Sequence, residues 1–183
     1  MMIALIVGVS IMFINCKNEY HQLVEQELEK NIRKDTLFLG LQFGMSAREF
    51  FAYCWELNKA GLVSEGFSNM SVLYKLARFE KRYDINFYPN FLNDKIVSLP
   101  VDYAYEITAP WNPKYSVDSL FIEVVAMQKE LYGNDFLTIS DPKRGEALVR
   151  VDGNRRISIF KNIDKNNVTV LFRDLSVEID DEQ

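Results

Sequence analysis

The chain has 183 residues, 48% of them hydrophobic and 13% aromatic, enough apolar side chain for one packed core rather than a disordered chain. Acidic residues outnumber basic ones 26 to 21, for a net charge of −5, which excludes nucleic acid as the expected partner because phosphate binding demands a basic surface. With 1 histidine and 2 cysteines, the chain offers no spaced ligand set for zinc or another transition metal. No cofactor motif accompanies them.

Met1 to Ile14 carries no charged side chain and no proline. As a helix it would reach about 21 Å, short of the ~30 Å hydrocarbon core of a bilayer. That length suits the apolar core of a signal peptide. A short uncleaved anchor is the alternative, whereas a buried first strand would run straight into the polar segment 17–35. Phe13-Ile14-Asn15-Cys16 resembles a bacterial lipobox, in which a lipoprotein signal peptidase cuts just before a cysteine that carries diacylglycerol. The resemblance implies a signal peptide over residues 1–15 and Cys16 as the lipid attachment site, acylated at the head of the mature chain. It also implies a bacterial cell-envelope location, membrane-anchored in the outer membrane or facing the periplasm. Residues 16–35 would then be a lipidated, polar amino-terminal stalk, and 36–183 the folded domain. Lys17 to Lys34 has Leu23, Leu28 and Ile32 as its few large aliphatic positions, and both a weak helix and a flexible stalk fit it.

Thr36 to Gly44 reads as a strand or an extended approach to a helix. Ser46-Ala47-Arg48-Glu49 fits a capping box, and the spacing predicts a helix over 47–60 with Gly61 as its left-handed cap. Phe50, Tyr53, Cys54, Leu57 and Ala60 form its apolar face. Cys54 reads as an inert core thiol. Phe51 and Trp55 fall off that face, so either another element covers them or they make an exposed patch for a protein partner.

Beyond Leu62 the period switches to two. Strands are expected near 70–79, 83–88 and 95–107, with a turn at Glu80-Lys81-Arg82 and a break or edge position at Pro100. A second helix is expected over 117–131, stopped by Gly133. Strands near 146–152, 155–161 and 167–174 close the chain, the first two joined by the tight turn Asp152-Gly153-Asn154. Phe50, Cys54, Leu57, Leu120, Val124, Met127, Ile157, Ile159 and Val170 are the expected core. The order is a helix and then a meander, twice. This predicts an α+β fold, two helix-plus-antiparallel-meander halves forming a two-layer sandwich. No βαβ rhythm and no glycine-rich phosphate loop occurs.

Phe43-Gly44-Met45-Ser46 leading into an amphipathic helix, and Leu131-Tyr132-Gly133 ending a second helix before a terminal meander, resemble the β-lactamase-inhibitor-like architecture shared with the small protein A group of outer-membrane lipoproteins. The resemblance spans 36–177 and implies action by binding proteins. No contact residue transfers position by position.

Asp102 and Glu106 share a strand face, but four residues of strand separate them by about 13 Å, beyond the ~5–9.5 Å of a glycosidase pair. No nucleophile–base pair accompanies Cys54, so no catalytic residue is assigned. The expected function is non-catalytic protein–protein interaction in the envelope. The alternative is ligand binding, with Tyr103, Tyr105 and Trp111 lining a pocket for a glycan or other small molecule.

Overall fold

The structure, a computed structural model, describes residues 19–67, 71–107, 111–141 and 145–177. The expected signal peptide and Cys16 lie outside these residues. Residues 19–29 form helix α1. Helix α2 (Ala47–Lys59) begins with the predicted capping box: the Glu49 backbone N–H donates to Ser46 Oγ, and the Glu49 carboxylate accepts from the Ser46 N–H at 2.7 Å. Helix α3 (Val117–Tyr132) starts at Ser116 and stops at Gly133, whose φ is +90°.

Among the described residues nine strands make one antiparallel sheet: β1 (Val63–Glu65), β2 (Val72–Arg78), β3 (Lys81–Phe87), β4 (Asn90–Leu92), β5 (Lys95–Tyr105), β6 (Leu137–Asp141), β7 (Gly145–Asp152), β8 (Arg155–Asn162) and β9 (Asn167–Asp174). Their order is β1-β2-β3-β5-β9-β8-β7-β6, with β4 pairing the start of β5. Each half is a helix followed by a meander, and the last strands of the two halves pair at the centre, Val101 opposite Val170. The α+β arrangement of two helix-plus-meander halves expected from the sequence is the observed one, with α2 and α3 layered on one face of the sheet.

Period two decides which face is dry. The odd positions of β5, from Val97 to Tyr105, are buried. Leu99, Val101, Tyr103 and Tyr105 join Ile85, Phe87, Ile157, Ile159, Val168, Val170 and Phe172 in one core. Phe50 and Cys54 of α2, and Leu120, Val124 and Met127 of α3, close it from above. Leu57 is half-buried rather than fully buried, because it lies one turn from the end of α2, near the short edge strand β1.

The other face is polar over the first half. Over the second half it carries Val149 and Val151, both buried. Helix α1 lies there: Tyr20 Oη accepts from Arg156 at 3.0 Å, and the Glu27 carboxylate accepts from the Gly153 N–H at 3.1 Å. Tyr20, Leu23, Val24 and Glu27 are its half-buried positions, the i, i+3, i+4, i+7 stripe of a docked helix. The chain then stays attached. Arg33 pairs with Asp174 at 3.1 Å, and Arg155 donates to the Thr36 carbonyl at 2.6 Å.

Several local expectations differ from the structure. Residues 36–44 are not a strand; Phe38–Gly40 is a 3-10 turn, closed by a single bridge between Thr36 and Gln42. This turn drives Leu37, Leu41 and Phe43 into the core. Strand β5 runs unbroken through Pro100. On one side Pro100 faces Leu171 of β9; on the other, the β3 pairing has ended at Phe87–Val101 and the β4 pairing starts only at Asn90–Ser98. The missing N–H therefore interrupts no ladder. The β2–β3 turn is Phe79-Glu80, both at positive φ (51° and 59°), and Lys81 and Arg82 belong to β3.

Candidate functional site

Phe51 and Trp55 sit one helical turn apart on α2, with 55% and 61% of their surfaces exposed. Phe51 is not isolated. Its ring lies 5.4 Å from the buried Phe50 and 6.5 Å from Tyr88, and Phe50 also packs edge-on against Tyr88 and Phe91. Lys59 stands over the Trp55 ring at 5.6 Å. Phe51 thus rests on an aromatic base, while Trp55 stands out beside Lys59, with Leu62 exposed farther along.

Tyr103, Tyr105 and Trp111 do not line one pocket. Tyr103 and Tyr105 occupy odd positions of β5, on the face that α3 covers, and are buried; Trp111 is 84% exposed ahead of α3. The Tyr103 hydroxyl accepts from Gln128 at 3.1 Å. Tyr105 and Tyr83 both donate to Glu123 Oε2, at 2.8 and 2.7 Å, while Lys81 binds Oε1 at 2.6 Å. Burial raises the Glu123 carboxyl, but the hydrogen bonds from Lys81, Tyr83 and Tyr105 outweigh it and hold the group below the usual carboxylate range. Burial, then the nearby Glu123, push both tyrosines up. With both oxygens engaged, Glu123 anchors α3 to β3 and β5 rather than standing ready as a base.

A second concavity lies on the opposite face of the first half, a cleft of about 640 Å³. Asp84, Asn86, Asp102, Lys165, Asn167 and Tyr88 line it over a floor that includes Pro100 and Ala104. Cross-strand register assembles it: Asn86 faces Asp102, Asp102 faces Thr169, and Asp84 faces Ala104. Thr169 Oγ1 donates to Asp102 Oδ1 and accepts from Asn162 Nδ2 at 2.6 Å; the same amide donates to Asn167 Oδ1 at 2.9 Å. Asn86 Oδ1 accepts from Ser71 Oγ at 3.3 Å. Lys75 lies 3.7 Å from Asp84. Sequence alone reads these even positions of β3 and β5 as a solvated face; their alternation was visible, but the contribution of Lys165 and Asn167 from the far half was not.

Among the described residues no three metal-ligating side chains converge, and no helix is long and apolar enough to cross a membrane. Comparison with protein-family models, curated proteins and solved structures finds no match to this chain.

Proposed function

We propose that this chain is a non-catalytic binding protein of the bacterial cell envelope, tethered to a membrane through lipid on Cys16 and docking a protein partner on α2. The observation that carries the docking surface is the exposure of Phe51 and Trp55 on one helical flank, with Phe51 packed on the buried Phe50. Large aromatic rings held rigidly at a surface bury much area at little entropic cost, which is why tryptophan and tyrosine dominate binding hot spots. Neither ring is needed by the core. The tether rests on the lipobox-like Phe13-Ile14-Asn15-Cys16.

Crosslinking in intact membranes, followed by capture of the lipidated chain, tests the docking surface. The Phe51→Ala/Trp55→Ala variant should keep its melting midpoint and lose the crosslinked partner, with affinity falling about thirtyfold for a hot-spot loss of about 2 kcal/mol. An unchanged crosslink would reject α2 as the surface. Metabolic labelling with a fatty-acid analogue tests the tether. Label should enter the wild type and not Cys16→Ala, which should accumulate as uncleaved precursor. A wild-type chain without label and with Met1 to Asn15 intact would reject the lipid anchor.

A further inference from the structure

We infer that the cleft on the open face of the first half is a binding site for a neutral polyhydroxylated ligand, a short oligosaccharide. Its polar groups lie apart from the α2 surface; Tyr88, whose ring is 6.5 Å from Phe51, is the lining residue that touches both. Asp84, Asn86, Asp102 and Asn167 stand on three neighbouring strands, β3, β5 and β9, so the sheet fixes their spacing; Lys165 reaches the cleft from the β8–β9 turn.

The groups are held before any ligand arrives. Asp102 uses Oδ1 on Thr169, Asn167 uses Oδ1 on Asn162, and Asn86 uses Oδ1 on Ser71. Among the described residues this leaves Asp102 Oδ2 and the NH₂ groups of Asn86 and Asn167 without a hydrogen-bond partner. Fixing side chains in advance removes much of the entropic cost of binding.

The chemistry selects the ligand. A carboxylate oxygen that only accepts, beside amide groups that donate, suits hydroxyls, which do both. Asp84 and Asp102 face Lys165 in the lining, while Lys75, 3.7 Å from Asp84, is held by Glu106 at 2.7 Å. A free anion would meet two carboxylates there, and no third metal-ligating side chain joins them among the described residues to hold a cation. A volume of about 640 Å³ falls within the ~300–1,000 Å³ of small-molecule clefts.

The test is retention of the full chain, in a sugar-free detergent, on an array of immobilised neutral oligosaccharides built from hexoses, N-acetylhexosamines and pentoses. At least one class should retain the wild type. Retention should fall at least tenfold in Asp102→Ala, and also in Lys165→Ala, where a surface side chain is trimmed and the fold is not at risk. Phe51→Ala/Trp55→Ala should bind sugar as the wild type does, which separates this site from α2. Absence of retention on every oligosaccharide would overturn the inference. So would retention that survives both cleft variants, or that is lost with the α2 variant.

Discussion

Gly153 and Ile32 are locked backbone to backbone. A Cβ built on Gly153 would lie 2.1 Å from the Ile32 carbonyl oxygen, and Gly153 itself has φ +59°. The β7–β8 turn and the segment after α1 can therefore meet only through a glycine. Gly153→Ala should destabilise the chain by about 1–3 kcal/mol or more, the cost of a strained backbone compounded by the clash. Gly61→Ala is the control, since its φ is +71° but nothing lies within 4 Å; it should cost only the conformational share, about 1 kcal/mol. Urea midpoints measure both. Limited proteolysis around Lys30 and Lys34 should quicken for Gly153→Ala alone.

Acid should loosen the fold through Glu123 and Asp174. Burial raises the Asp174 carboxyl, but Ser176, Asn154 and the Arg33 charge together hold it below its ordinary value, as Lys81 and the two tyrosines hold Glu123. A carboxyl depressed in the folded state contributes stability that is complete above its unfolded pKa of about 4 and lost as pH falls through the folded value. The urea midpoint should be flat from about pH 7 to 5 and fall below about pH 4.5. Glu123→Gln should be less stable at pH 7, by less than the ~3–5 kcal/mol of a fully buried pair, and its acid slope should be shallower.

Cys54 should be chemically silent. Burial pushes its thiol up to about 11, so at pH 8 about one thiol in a thousand is ionised. Maleimide labelling mapped by peptide mass should leave Cys54 unmodified in the native chain and label it in urea. Native labelling would show that α2 lifts from the sheet far more often than its packing implies.

Phe50 is the keystone of α2. It is fully buried and touches Phe51, Tyr88 and Phe91. Phe50→Ala should cost about 3–5 kcal/mol; Leu57→Ala, at a half-buried site, should fall at or below the low end of the ~2–5 kcal/mol range for leucine. Equal midpoints for the two variants would contradict this core.

Both later helices and the six long strands were legible because each carries one unbroken period. The box Ser46–Glu49 marks the start of α2, and the odd positions of β5 mark one dry face. Short edge strands β1, β4 and β6 offered three to five residues each, too few for a period to register. The Phe79-Glu80 and Asn93-Asp94 turns place non-glycine residues at positive φ, and Phe79-Glu80 carries no turn signal of its own. The same alternation that placed Tyr103 and Tyr105 together could not say which face α3 would cover. Their partner Trp111 lies past the strand, beyond the reach of that pattern. The cleft was hidden for a different reason: it needs β5 beside β9, a pairing across 60 or more residues that no local pattern encodes.

The docking of α1 changes what a tether would mean. From Glu19 onward the polar amino-terminal run belongs to the fold, so only Lys17 and Asn18 separate it from Cys16. Three virtual bonds span at most about 11 Å. A chain held by lipid at Cys16 would ride close to the headgroups, on a leash shorter than its own sheet is wide. Its search for a partner would then be confined to a thin layer above the bilayer, favouring molecules rooted in the same membrane over those diffusing through the space beyond.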